Sequence, residues 1–353
     1  MSNLIRVLIA DDSALMRKIL KKILETDPEI ELVAAARDGQ DVVVKARELV
    51  PDVVTMDVNM PGQDGITALQ HIVNEKICPV VMVSSLTQEG AVTTFEALEL
   101  GAFDYVAKPG GTVSSNMENV GGELIAKIKA AASGRKSRMT TLLARTRPRQ
   151  VQSARPTAAR GNVSRAVVMG ISTGGPKTIY EVLPLIPPDI DAALFLVQHM
   201  PANFTSTYVK RLNEACQVDV VEAQAGMKIQ SGVVYVGSGG RHLNLIKNSQ
   251  GEILIRLPTK PEHLFIPSVG IMMESVLSVF GRHTLGVLMT GMGSDGADAM
   301  VKINQAGGIT IAEAEESAIV FGMPGEAIKR GGAQIVLPAW DIAEEIIKAV
   351  KQL

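Results

Sequence analysis

Short apolar runs alternate with longer mixed stretches along most of the chain. In the first 110 residues "IRVLIA", "ELVAAA", "DVVTMD", "PVVMVS" and "FDYVA" are separated by segments of helical length, a pattern of strands joined by helical crossovers. Five such units predict one parallel sheet covered on both faces by helices. Residues 116–132 read as a closing helix, with Leu124, Ile125 and Ile128 at helical spacing. A second pattern starts at "RAVVMG" and runs through "AALFLVQ", "GVVYVG", "EILIRL", "TLGVLMT" and "GITIA" to a terminal helix near 341–352. The expected class is therefore α/β, with two doubly wound parallel-sheet domains. Between them lies a break. From Ser133 to Arg165 the chain has nine Lys or Arg, no Asp or Glu and two prolines, without a sustained apolar period, and it reads as a flexible basic linker. The expected boundaries are 1–132, 133–162 and 163–353.

Composition supports this division. A chain of 353 residues exceeds one ordinary core. Hydrophobic residues make up 46% and aromatics only 3%, so the cores are aliphatic, as buried parallel strands require. The net charge of -2 gives no general pull toward nucleic acid or anionic lipid. Cys78 and Cys216 fall in different domains and form neither a disulfide framework nor a metal spacing. No apolar run reaches the length of a membrane span, so a cytoplasmic protein with no membrane insertion is expected.

Candidate chemistry sits at the ends of the strands. In the first half "LIADDS" brings Asp11 and Asp12, "VVTMDVNMP" brings Asp57, and two further strand ends bring Ser84 and Lys108. Carboxylates converging on one edge of an open sheet repel one another unless a cation neutralises them, and Mg²⁺ suits an all-oxygen ligand set. A hydroxyl and an ammonium beside them would bind the oxygens of a carboxyl-phosphate. Taken singly, each Asp is better explained as a helix cap and Lys108 as a solvated charge. Five on the same edge are not.

The second half opens on "VVMGISTGGP". The order Gly170, Ser172, Gly175 puts serine where a dinucleotide-binding loop wants its second glycine, and no P-loop Lys-Ser or Lys-Thr pair follows a G-x-x-x-x-G. Two readings remain, a helix cap and a nucleophile turn G-x-S-x-G from Gly170 to Gly174. A nucleophilic serine needs a base, and of five histidines His199, ending "AALFLVQH", is best placed. The base needs a carboxylate, which Asp295 in "TGMGSDGADAM" supplies. Each of the three follows a different strand, so they are expected to meet. Their order, Ser then His then Asp, differs from that of α/β-hydrolases. The rival reading is a DNA-binding response regulator. Against it, the output half has at least six strand-like runs and no basic recognition helix.

The stretches "ADDS", "MDVNMPGQDG", "VSS" and "AKP" resemble the receiver domain of two-component response regulators. "GISTGGP", "VQHMP", "TGMGSDGADAM" and "SAIVFGMPGEAI" resemble the catalytic domain of chemotaxis protein-glutamate methylesterases, and receiver, linker and catalytic domain together are similar to that family's architecture. The resemblance implies a flavodoxin-like receiver in which Asp57 accepts phosphate from a histidine kinase. Asp11, Asp12, Asp57 and the carbonyl of Asn59 would hold Mg²⁺, while Ser84 and Lys108 contact the phosphoryl group and Tyr105 reports activation. For the Rossmann-like serine hydrolase domain it implies phosphorylation-regulated hydrolysis of glutamate γ-methyl esters on the cytoplasmic helices of methylated chemoreceptors, and deamidation of receptor glutamines. The triad would be Ser172, His199 and Asp295, with the N–H groups of Thr173 and Met292 binding the oxyanion and no cofactor for the ester chemistry.

Overall fold

The computed structural model describes residues 4–85, 87–108, 115–134 and 163–353. The chain separates into two units, residues 1–148 and 149–353. Most of the basic segment 133–162 and the Pro109 end of "AKP" lie outside the described residues.

The first unit runs β1 (Ile5–Ala10), α1 (Ala14–Leu24), β2 (Ile30–Ala36), α2 (Gly39–Leu49), β3 (Val53–Asp57), α3 (Gly65–Asn74), β4 (Val80–Ser84), α4 (Gln88–Glu99), β5 (Asp104–Ala107) and α5 (Ser115–Gly134). The strands form one parallel sheet in the order β2-β1-β3-β4-β5, the flavodoxin-like order. Strands β3 and β4 are buried along their whole length, which accounts for their continuous apolar sequence. The βα turns end in polar caps: the side chains of Ser13, Asp38, Asp64 and Thr87 each accept a backbone N–H of the helix that follows, satisfying donors the helix itself leaves orphaned. Valines and isoleucines of the strands pack on Leu20, Leu24, Leu124 and Ile128.

The second unit contains β6 (Ala166–Ile171), α6 (Gly175–Thr178), β7 (Ala193–Gln198), α7 (Ala202–Ala215), β8 (Asp219–Glu222), β9 (Val233–Val236), β10 (Asn244–Lys247), β11 (Ile253–Arg256), α8 (Val269–Phe280), β12 (Thr284–Leu288), α9 (Ala297–Gln305), β13 (Ile309–Glu313), α10 (Met323–Lys329), β14 (Ile335–Leu337) and α11 (Ala339–Gln352). Seven strands make a parallel sheet ordered β14-β13-β12-β6-β7-β9-β8. The sequence reading needs one refinement: "EILIRL" is not part of this sheet. It forms β11, which pairs antiparallel with β10 as a separate hairpin, whereas the short edge strands β8 and β14 complete the main sheet. Both edge strands are too short to print a clear period. The sheet's sequence order reverses between β6 and β12, and in open α/β sheets the crevice at such a reversal is where sites are built.

Candidate active site and acidic cluster

Register alone brings the second unit's three candidates together. Parallel pairing sets Ile171 beside Gln198 and Gly170 beside Leu288, so the chain leaves three adjacent strands at Ser172, His199 and the loop from Met289 to Asp295. The ladder continues one step further. His199 N–H donates to the Ile171 carbonyl at 3.2 Å and Ser172 N–H to the Thr290 carbonyl at 2.9 Å. Ser172 is therefore locked into the sheet edge and does not cap the next helix. That helix, α6, has Gly174 at its cap position with φ +77°, a conformation glycine adopts without strain.

His199 Nδ1 lies 3.1 Å from Ser172 Oγ, and His199 Nε2 lies 2.9 Å from Asp295 Oδ2. Both side chains of the His–Asp pair are nearly buried, at 7% and 5% exposure. Phe265 stacks on the imidazole at 4.2 Å with planes 8° apart, fixing the ring's plane. Asp295 accepts four donors: the Val269 N–H (2.7 Å) and His199 on Oδ2, the Gly270 N–H (2.9 Å) and the Ser268 hydroxyl (2.8 Å) on Oδ1. Burial alone would push its carboxyl up, but the hydrogen bond and charge of His199, with the hydrogen bonds of Gly270 and Ser268, outweigh it and bring the pKa down to about 2. An ionised Asp295 has only acceptors, so Nε2 must carry a proton, and in the neutral ring Nδ1 holds the lone pair that faces Ser172. This is the reverse of the serine-protease arrangement, where Nδ1 meets the Asp and Nε2 the Ser.

Asp295 does cap a helix, though not the one after it. Helix α9 has Gly296 at its cap without a side-chain bond, whereas Asp295 sits on the first amides of α8, where helix dipole and free N–H groups favour an anion. Ser268, Val269, Gly270 and Phe265 were invisible as site residues in the sequence. "IPSVGIMM" signals a helix start, but nothing in it tells which carboxylate that start receives. His242 is fully buried, with Nε2 3.0 Å from the Pro261 carbonyl and Nδ1 receiving the Ser268 N–H at 3.2 Å.

Thr173 is buried and Met292 half-buried, and among the described residues no group accepts their backbone N–H. Thr290, fully buried, ties their two turns together. Its hydroxyl donates to the Thr173 carbonyl at 2.9 Å, and its N–H donates to Glu313 at 2.7 Å.

In the first unit, Ala10 stands beside Met56 in register, so the next acids, Asp11 and Asp57, lie side by side. Asp11, Asp12 and Asp57 each offer a carboxylate oxygen within 4.8 Å of the others. Lys108 Nζ meets Asp11 Oδ2 at 2.9 Å and Asp57 Oδ2 at 2.7 Å. The contact to Asp11 is an ion pair without hydrogen-bond alignment, so this buried oxygen has no hydrogen bond. Burial is the largest influence on Asp57 and holds its carboxyl above the ordinary value, helped by the Asp11 charge and opposed by Lys108. A compact, hard cation suits such a donor set. Ser84 is buried and its hydroxyl donates to the Gly90 carbonyl at 3.3 Å. Asn59 is exposed, and its N–H donates to the Asp57 carboxylate. Tyr105 is buried, with Lys127 Nζ 5.1 Å from its ring centre.

Residues 167–346 match the CheB methylesterase family, and residues 7–114 match the response regulator receiver domain. Over 99% of this chain and the whole of the relative, it is 70% identical to a protein-glutamate methylesterase/protein-glutamine glutaminase of Syntrophomonas wolfei. It is 48% identical to one of Caldanaerobacter subterraneus, over the full chain and 98% of that protein. The CheB methylesterase catalytic domain of Thermotoga maritima superposes with a TM-score of 0.51 at 35% identity, covering 52% of this chain and 98% of that one. With that likeness running from end to end, the chain belongs to the CheB methylesterase family and carries its receiver domain as well as its catalytic one.

Proposed function

We propose that Ser172, His199 and Asp295 are the machinery with which this chain acts as a protein-glutamate methylesterase and protein-glutamine glutaminase. The supporting observation is the unbroken hydrogen-bonded line from Ser172 Oγ through the imidazole to Asp295. His199 Nδ1 takes the Ser172 proton as Oγ attacks the side-chain carbonyl of the modified glutamate. Asp295 stabilises the imidazolium, and the free N–H groups of Thr173 and Met292 receive the oxyanion. His199 then returns the proton to the leaving group, methanol from an ester or ammonia from glutamine. Water, deprotonated by the same Nδ1, releases Ser172, and both substrates end as glutamate.

In this reading residues 163–353 form the catalytic domain, 1–132 the receiver and 133–162 the basic link between them. The substrate is the cytoplasmic helical region of methylated chemoreceptors, which places the enzyme in the cytoplasm. No described helix is long and apolar enough to cross a membrane. Asp57 is the phosphoacceptor for a histidine kinase, with Ser84 and Lys108 as its phosphoryl contacts. Asp11, Asp12, Asp57 and the Asn59 carbonyl would hold Mg²⁺, and the three clustered carboxylates fit a hard cation. When bound, Mg²⁺ offsets the negative charge of the carboxylates and of the phosphoryl oxygens. Lys108, already paired to two of the carboxylates, orients Asp57. Mass spectrometry of a methylated receptor fragment incubated with the protein tests the reading: loss of methyl groups with wild type and none with Ser172→Ala supports it. Near-normal turnover by Ser172→Ala refutes it.

A further inference from the structure

Gln198 is the last residue of β7, 3% exposed, one position before His199. Its Nε2 donates to two carbonyls, Ser172 O and His199 O, both at 3.0 Å. Its Oε1 is buried and has no hydrogen-bond partner. The amide orientation is therefore set by its donors alone, since turning it over would face Oε1 against two carbonyls. The Ser172 carbonyl receives a second bond, from Gly175 N–H at 2.8 Å. That carbonyl belongs to the same planar trans peptide as the Thr173 N–H, and in such a peptide C=O and N–H point in opposite directions. Two donors anchoring the oxygen thus aim the Thr173 N–H the other way, where no described group accepts it. Hydrogen bonds accepted by a peptide oxygen also polarise its N–H and strengthen it as a donor.

We infer that Gln198 is a positioning residue for the oxyanion-binding Thr173 N–H, clamping the peptide between Ser172 and Thr173 from behind while holding the backbone of His199 with its other hydrogen. This inference rests on the triad reading above and adds to it. Gly175 is part of the device. A Cβ at position 175 would stand 2.2 Å from Gln198 Oε1, so only glycine leaves room for the amide.

The test uses the full-length chain and methylated receptor fragments. Gln198→Leu removes both donors and loses an acceptor that bonds nothing. It is expected to lower kcat by about 10- to 100-fold, short of the roughly 100- to 1000-fold cost of removing an oxyanion donor outright because the Thr173 N–H is misaligned and not lost, with KM and the pH midpoint of kcat unchanged. Affinity for phenylboronic acid, whose adduct on Ser172 is a tetrahedral boronate anion with a hydroxyl in the oxyanion position, should fall in parallel with kcat. Gly175→Ala, which displaces the amide without altering residue 198, should reproduce both effects. A folded Gln198→Leu protein with kcat within twofold of wild type overturns the inference. A loss accompanied by a displaced pH midpoint also overturns it, because the effect would then lie on the base. If Gln198→Leu does not fold, Gln198→Met and Gly175→Ala decide by the same criteria. Ser172→Ala, assayed in parallel, separates the two claims: an active Ser172→Ala refutes the triad, whereas an inactive one beside a fully active Gln198→Leu refutes only the clamp.

Discussion

Replacing Asp295 with Asn probes a carboxylate that four donors hold. Every contact to its carboxylate is a donor: Val269 N–H and His199 Nε2–H on one oxygen, Gly270 N–H and the Ser268 hydroxyl on the other. An Asn can keep one oxygen and must turn an NH₂ toward the other pair. With its oxygen toward Val269 and His199, the NH₂ faces Ser268, whose hydroxyl can rotate to accept, and only the Gly270 N–H is stranded. The opposite orientation strands Val269 and forces Nε2 to accept, which moves the proton onto Nδ1 and disables the base. The first seating is therefore favoured, and the working tautomer survives. What is lost is charge. A fall from the ordinary 3.8 to about 2 corresponds to about 2 to 3 kcal/mol, and one stranded buried N–H adds about 1 to 3 kcal/mol. If the same 2 to 3 kcal/mol stabilises the imidazolium during turnover, kcat falls by about two orders of magnitude, compared with about four where Asn imposes the wrong tautomer. Because the folded pKa is depressed, the carboxylate's stabilisation is complete above about pH 4 and is lost as pH falls toward 2. Denaturant unfolding from pH 6 to pH 2 should thus show the gap between wild type and Asp295→Asn closing with acid, while methanol release gives kcat. A variant within about half a kcal/mol of wild type at pH 6, or one losing four orders of magnitude in rate, would refute this reasoning.

Nitrogen NMR of His199 should show a proton on Nε2, the nitrogen that faces Asp295, and an Nε2 without a proton in the resting enzyme would contradict the geometry. Asp57→Asn is expected to stabilise the first unit at neutral pH. Asp57's carboxyl is raised chiefly by burial, so its ionised form carries a penalty that appears as pH rises through that raised value; a lower melting temperature for the variant at pH 7 would reverse the sign. Isothermal titration with Mg²⁺ should give binding that weakens at least tenfold in Asp11→Asn, since that substitution removes a charged oxygen lacking a hydrogen bond. Equal affinity would move the cation elsewhere.

Strand ends were the legible part of this sequence. Ser172, His199 and Asp295 follow buried apolar runs, and parallel register converts that position into proximity without further information. The supporting groups were not legible, because they arrive from segments whose periodicity says nothing about direction. Ser268 and Phe265 lie beyond the β10–β11 hairpin, which the apolar run "EILIRL" disguised as another sheet strand. Gln198 read as the polar end of a strand, and only the atoms its amide meets reveal the peptide it holds. Helix propensity cannot distinguish a carboxylate that caps the helix after it from one that caps a distant helix, and Asp295 caps α8 and not α9.

The reversal of strand order between β6 and β12 also governs when the site can exist. Thr173 and Thr290, joined by one hydrogen bond, are 117 residues apart in sequence, and β7, α7, β8, β9, the hairpin and α8 are all synthesised between them. Closing so long an intervening segment delays parallel pairing. During translation β6 can pair with β7 as soon as both emerge, yet its other edge stays open until β12 follows, a bare strand edge of the kind that invites association with other chains. The nascent unit would therefore hold Ser172 and His199 together well before Asp295 arrives, and the hydrogen-bonded line through the imidazole cannot close until β12 and the loop after it have emerged.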